Sequence, residues 1–226
     1  MKRFRGTLSI LALSLTLQCL FTVWPDLTWL FAFHPDSFMG WMGLIPSMFA
    51  HANWPHLIGN FCWGLPFCLY LEYKLGYRRF IEFYVLCGVG GALLQALAVD
   101  GGGIGSSGAL FGIMAGACSY WGKNAVEHTM ALSVFCAHFI RNLLLAPYSA
   151  FLGIGFYCHL GGGLTALLLC MRFYAPELTA MSLLPRKAKN SPSRPGSLGK
   201  RLKKHPSRRP RLLRLPWGSR SRSRLR

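Results

Sequence analysis

The stretch GIGSSGALFG, residues 103–112, decides the fold, because it places two adjacent serines among glycines at the start of an apolar segment. That segment covers residues 107–121. As a helix it would span about 22 Å, whereas the hydrocarbon core of a bilayer is about 30 Å thick. Since Trp121 and Lys123 would anchor its far end at the membrane interface, its near end should begin below the opposite surface. The preceding link must then enter the membrane as irregular backbone surrounded by protein or water.

The composition predicts a polytopic membrane protein. The chain has 226 residues, of which 52% are hydrophobic and 14% are charged. All eight cysteines lie within apolar segments, so we expect small buried side chains rather than disulfides or a zinc site. The apolar segments predict an all-α fold with six membrane-spanning helices, at residues 7–24, 56–72, 80–98, 107–121, 129–147 and 153–173.

The basic residues are unevenly distributed along the chain. The formal net charge is +18, but 16 of the 25 Lys and Arg residues lie from Arg186 onward, where no Asp or Glu occurs. This end is also rich in Ser, Pro and Gly, a composition that predicts disorder. We therefore expect a membrane domain at residues 1–175 and a basic cytoplasmic tail at 176–226. Because no nucleic-acid-binding motif accompanies the basic residues, the expected partner of the tail is the anionic inner leaflet, with no specific nucleic acid.

Lys and Arg residues between the predicted spans indicate the orientation. They precede span one and follow spans two, four and six, whereas the alternate connections contain none. By the positive-inside rule both termini are cytoplasmic, and Arg141 near the outer end of span five is the exception. No small-residue cleavage site follows the first apolar run, so we expect it to remain a helix rather than to be removed as a signal peptide. Spans two, four and six then all begin at the outer face.

Polar side chains are concentrated at those three helix starts. Span four begins with Ser107, and His159 lies near the start of span six. A serine hydroxyl needs an adjacent base to become a nucleophile, and a neutral imidazole with its ordinary pKa of about 6.5 suits that task. His56 and Asn60 share one face of span two and could stabilise an oxyanion together with the backbone N–H of Ser107. Since no acidic residue is well placed, we predict a Ser107–His159 dyad rather than a triad.

Three segments carry a resemblance to a known family: HANWPHLIGN at 51–60, GSSGALFGIMAG at 105–116 and HLGGG at 159–163. In this order they resemble the signature segments of the rhomboid intramembrane serine proteases. EYKLG at 72–76 also resembles the Glu-x-x-x-Gly turn that follows the second helix of that family. The resemblance covers about residues 1–175 and is closest to the prokaryotic six-helix form.

The resemblance implies that Ser107 is the nucleophile and His159 the general base. It also implies a set of residues that assist the oxyanion or support the site, namely His56, Asn60, Gly105 and His51. The implied substrates are transmembrane helices, cut near their outer end, and no metal or cofactor is implied. The implied location is a bacterial inner or plasma membrane. Phe111 departs from the family pattern, because relatives often place a tyrosine four residues after the nucleophile.

Other interpretations stay open at this point. Each motif taken singly is also typical of small-residue packing between membrane helices. A catalytically silent rhomboid-like protein that binds membrane clients would keep the fold without the reaction, although such relatives usually lack the serine or the histidine. HANWPHL is also similar to the rhombosortase branch, but the GLSGVLHG that usually follows is absent. A transporter would need polar residues through both leaflets, and the inner halves of these spans have few.

Overall fold

The computed structural model describes residues 4–99, 101–120, 125–148 and 155–183, which belong to one structural unit, Met1–Leu184. Within these residues β-pairing is limited to an isolated bridge between Phe33 and Gly103, and the predicted all-α fold is confirmed for them. The α-helices are α1 (Arg5–Val23), α2 (Leu27–Phe31), α3 (Phe38–Trp41), α4 (Trp54–Leu75), α5 (Tyr77–Val99), α6 (Ser107–Tyr120), α7 (Ala125–Leu145) and α8 (Phe156–Leu183). Short 3₁₀ turns occur at Pro46–Met48 and Ala146–Tyr148.

The six long helices, α1 and α4 to α8, overlap the six predicted spans. Within the described residues, α1 and α5 are the two helices that are long and apolar enough to cross a membrane by length and composition. The helix α4 has 22 residues but carries polar side chains, among them His56, Asn60 and Glu72. The helix α6 has only 14 residues, as the sequence predicted for the segment that begins at Ser107. Helix length therefore supports two spans directly, and the six-span arrangement stays a prediction.

The helix α6 forms the centre of the bundle. It packs against α4, α5 and α8, while α1 packs against α4 and α5. All α6 residues from Gly108 to Cys118 are buried. The surrounding helices expose large apolar side chains, such as Leu144 on α7 and Leu168 on α8. The bundle is therefore apolar on its outside as well as in its core, as expected for a protein surrounded by lipid.

Glycines let α5, α6 and α8 approach one another closely. A Cβ atom on Gly162 of α8 would collide with the carbonyl oxygen of Gly108 on α6. A Cβ atom on Gly91 of α5 would lie 2.5 Å from the carbonyl oxygen of Cys158. Small residues are common where membrane helices pack backbone to backbone. This packing brings the start of α8 against the start of α6.

Glu72 joins the end of α4 to the start of α1. Its carboxyl oxygens accept hydrogen bonds from the backbone N–H groups of Gly6 and Thr7, at 2.7 and 2.8 Å, and from the Thr7 hydroxyl at 2.8 Å. Gly6 and Thr7 lie in the first turn of α1, where backbone N–H groups lack acceptors within the helix. A carboxylate at this end also interacts favourably with the helix dipole. Because Glu72 is buried, this contact ties α1 to the core.

Two features differ from the sequence-based expectations. The helix α8 continues to Leu183, past the expected end of span six at residue 173. The domain boundary expected at residue 175 stays a prediction, and the remainder of the predicted tail lies outside the described residues. The expected burial of all cysteines is wrong for Cys19, Cys62 and Cys136, whose side chains are exposed. They lie on α1, α4 and α7, which each present an apolar face to the outside of the bundle.

Replacing Glu72 by alanine should destabilise the protein, because two buried N–H groups of α1 would lose their acceptor. We expect the free energy of unfolding in detergent to fall by about 3 kcal/mol for Glu72→Ala. Thr7→Val is the matched control, since it removes only the hydroxyl bond and should cost about 1 kcal/mol. Equal losses for the two variants, measured by denaturant titration, would contradict a capping role for the carboxyl group.

Candidate active site

The link before α6 is held against the connection between α1 and α4 by backbone hydrogen bonds. Phe33 and Gly103 exchange two N–H···O bonds of 2.9 Å, and the N–H of Gly105 donates to the carbonyl of Ser47 at 2.9 Å. Gly105 has a φ of 129°, a conformation that glycine adopts readily and other residues disfavour. The irregular backbone at residues 101–106 therefore has hydrogen-bond partners within the protein, although Gly103 itself is exposed.

The two serines of the motif have different environments. Ser106 is fully buried, and its Oγ lies 3.0 Å from Nε2 of His51. The backbone N–H of Ser106 also points to that nitrogen, at 3.4 Å. Ser107, by contrast, is the first residue of α6 and is only half-buried. Ser106 is thus part of the interior, and Ser107 is the serine that remains accessible.

His51 contacts the serine that precedes the accessible one. Its side chain is completely buried, and its ring meets the ring of His56 edge-on, with the centroids 5.2 Å apart. Burial, and secondarily the neighbouring His56, lower the pKa of His51 to about 3. His51 is therefore neutral near pH 7, and its contact with Ser106 fixes the backbone that leads into α6.

His56 and Asn60 lie on the first two turns of α4 and face the link. The side chain of Asn53 caps this helix by accepting from the backbone N–H of His56 at 2.9 Å. A Cβ atom on Gly105 would lie 2.7 Å from Cε1 of His56 and 3.6 Å from Nδ2 of Asn60. Nδ2 of Asn60 is buried and has no hydrogen-bond partner among the described residues. It is therefore a donor that an oxygen atom of a ligand could use.

His159 lies in the first turn of α8, and its ring is held on two sides. Phe111 of α6 stacks on it, with centroids 4.3 Å apart and ring planes 9° apart. Nδ1 of His159 lies 2.6 Å from Oδ1 of Asn142 on α7. Because Phe111 follows Ser107 by four residues, the two share a face of α6, and the stacking places His159 on that face.

A cavity of about 850 Å³ connects these side chains, and Ser107, His159, His56, Asn60 and Gly105 all line it. Gly108 follows Ser107, and Cys158 precedes His159. These two neighbours are packed together, since a Cβ atom on Gly108 would lie 2.5 Å from Sγ of Cys158. Five of the six predicted site residues therefore reach one cavity, and the sixth, His51, lies one layer behind it.

Sequence reasoning missed Asn142. The residue is 3% exposed and lines the same cavity. A polar side chain within an apolar helix was the available signal, because such groups are costly in a membrane unless they are used. Its partner could not be identified from the sequence, since 17 positions separate Asn142 from His159.

An apolar exterior around a mostly apolar cavity with a few polar side chains is typical of helical membrane proteins with a binding or catalytic site. Comparison with known proteins identifies the family. The model of the Rhomboid domain matches residues 39–175, more than half of the chain, and the protein therefore belongs to the Rhomboid family, whose members are integral membrane proteins. The resemblance predicted from the three sequence segments is thus confirmed.

A curated relative extends this comparison. The chain is 31% identical over 135 residues to the RHOMBOID-like protein 6, mitochondrial, of Arabidopsis thaliana. The aligned region covers 58% of this chain and 42% of that protein, so the chain matches about two fifths of the relative's length.

Replacing Gly105 by alanine should displace His56 and strain the backbone. We expect the free energy of unfolding to fall by about 2 kcal/mol, because the new methyl group would occupy a disfavoured φ and press on the imidazole. Gly103→Ala is the matched control, since a Cβ atom there would meet nothing within 4 Å. Both variants can be compared by thermal unfolding in detergent, and equal midpoints would contradict the close approach of Gly105 to His56.

The depressed pKa of His51 predicts a loss of stability in acid. The unfolded chain takes up a proton below the ordinary pKa of about 6.5, whereas the folded protein resists protonation of His51 down to about 3. Stability from this residue is therefore complete above pH 6.5 and falls as the pH drops towards 3, by up to about 1.4 kcal/mol per pH unit. His51→Gln should make the pH dependence of unfolding shallower between pH 6.5 and 4. Identical slopes for the two proteins would contradict the prediction.

Proposed function

We propose that the protein is an intramembrane serine endopeptidase that cleaves transmembrane substrates near the outer membrane face. Ser107 is the nucleophile and His159 the general base. The observation that supports the proposal most is the convergence of the accessible serine, the stacked histidine and the buried Asn60 donor on one cavity. Packing alone would not require these three polar groups, which come from three different helices, to share a cavity inside an apolar bundle.

The reaction follows from the properties of these groups. Oγ of Ser107 attacks the carbonyl carbon of the scissile peptide bond while its proton passes to Nε2 of His159. The oxyanion formed accepts hydrogen bonds from Nδ2 of Asn60, from His56 and from the backbone N–H of Ser107. His159 then gives the proton to the leaving amine, and the peptide C–N bond breaks to leave an acyl-enzyme. Water, activated by the same imidazole, hydrolyses the ester and restores the serine.

The membrane arrangement is part of the same proposal. Six spans with both termini in the cytoplasm place the starts of α4, α6 and α8, and hence the cavity, near the outer face of a cell membrane. A substrate helix must lose backbone hydrogen bonds before its carbonyl carbon can be attacked, so helix-weakening residues near its outer end favour cleavage. The basic residues from Arg186 onward contact anionic lipids of the inner leaflet. Specific binding of nucleic acid is not part of the proposed function.

The proposed activity is tested by a serine-directed probe and a substrate together. Detergent-solubilised protein is expected to react covalently with a fluorophosphonate and to cleave a model transmembrane substrate. Ser107→Ala should abolish labelling and lower cleavage by at least about 1,000-fold, because it removes the nucleophile that forms the acyl-enzyme. Ser119→Ala makes the same chemical change at the other end of α6 and should leave both readouts unchanged.

The alternative is a catalytically silent rhomboid-like protein that binds membrane clients. Folded wild-type protein that is neither labelled nor proteolytic, but still retains transmembrane segments in pull-down experiments, would support this alternative and contradict the proposed protease.

A further inference from the structure

The hydrogen bonds of Asn142 determine how its amide is oriented. One of its side-chain polar atoms lies 2.7 Å from the backbone carbonyl oxygen of His138, one turn earlier on α7. A carbonyl oxygen can only accept, so the atom that faces it must be the donor Nδ2. The amide oxygen Oδ1 is then directed at His159, where it lies 2.6 Å from Nδ1.

This orientation determines the tautomer of His159. An amide oxygen accepts hydrogen bonds and cannot donate them, so Nδ1 of His159 must carry a proton in order to make the short contact. In the neutral ring the other nitrogen, Nε2, then has a free lone pair. A general base that takes a proton from a serine needs that lone pair on the nitrogen directed at the hydroxyl.

We infer that Asn142 is a positioning residue, which holds His159 in the Nδ1–H tautomer with Nε2 free to act as the base for Ser107. The inference rests on the proposed function, and it extends the expected dyad to a Ser107–His159–Asn142 array. Phe111 fixes the plane of the imidazole by stacking, and Asn142 fixes its rotation within that plane.

The surroundings of Asn142 favour a neutral amide over a carboxylate at this position. None of the described residues that line the cavity is an aspartate or a glutamate. The titratable groups that face His159 are His56 on α4 and His138 and Arg141 on α7. Asn142 is 3% exposed. An ionised carboxylate at this position would have to leave water for the interior of an apolar bundle, which is costly. An amide orients the imidazole without that cost, because it is neutral.

The tautomer can be observed directly in the full-length protein. In ¹⁵N spectra of histidine-labelled protein in detergent, the signals of His159 are those that disappear in His159→Phe. We expect them to show a protonated Nδ1 and an unprotonated Nε2 near neutral pH. A neutral His159 with its proton on Nε2, or in rapid exchange between both nitrogens, would overturn the inference without any variant of Asn142.

Activity measurements then connect the tautomer to catalysis. Asn142→Leu keeps the approximate volume but has no acceptor, so we expect loss of the Nδ1–H signal and a decrease in kcat of about tenfold, with little change in KM. Asn142→Asp, in the neutral carboxylic acid form that the apolar surroundings favour, can donate its O–H to the His138 carbonyl and accept from Nδ1 of His159. It should retain both the signal and a kcat within about threefold of the native value. Ser133→Leu introduces the same apolar side chain at an exposed position of α7 and should change neither readout.

The outcomes separate this inference from the proposed function. If the wild-type protein is not labelled by the fluorophosphonate and does not cleave the substrate, the proposed protease function is contradicted. The tautomer of its His159 still decides whether the Asn142 contact exists. An active wild-type protein whose Asn142→Leu variant keeps the native tautomer and native kcat contradicts only the positioning role. If Asn142→Leu does not fold, the spectrum of the native protein and that of Asn142→Asp decide the question, and loss of the Nδ1–H signal in either would overturn it.

Discussion

The structure depends on one constraint: backbone that enters an apolar bundle must find hydrogen-bond partners within the protein. The helix α6 has only 14 residues, and irregular backbone precedes it within the bundle. The connection between α1 and α4 supplies the partners through the backbone of Phe33 and Ser47. Glycine at position 105 then lets the chain turn into α6 while His56 stays within contact distance. The position of Ser107 is a consequence of this arrangement.

A second property of the site is that its polar groups are arranged in two layers. His51 and Ser106 form the inner layer, in which both side chains are buried and bonded to each other. Ser107, His159 and Asn60 form the outer layer, which lines the cavity. The inner layer holds the backbone, and the outer layer is free to meet a ligand. Neutral imidazole and amide groups suit both layers, because a buried charge in an apolar bundle is far more costly than a buried hydrogen-bonded dipole.

The balance between sequence and structure differs from residue to residue. The short apolar segment after two serines predicted that α6 would start inside the bundle, and the four-residue spacing of His56 and Asn60 predicted that both would face the same side. These are local properties, set by helix geometry. The distinction between Ser106 and Ser107 depends on His51, which lies 55 positions from Ser106. Asn142 was also missed, since its significance comes from a contact across two helices. The end of α8 at Leu183 was not predicted either, because Arg172 suggested an earlier membrane boundary.

The sequence by itself determined the helical class, the short helix that begins at the serine motif and the family, because apolar length, glycine spacing and short motifs are all encoded locally. Only the tertiary structure decided which serine is accessible, that Phe111 stacks on His159, and that Oδ1 of Asn142 lies against Nδ1 of His159. Those properties depend on contacts between residues far apart in the chain. Such contacts follow from how α4, α6, α7 and α8 pack around one cavity, and periodicity along a single helix does not contain that information.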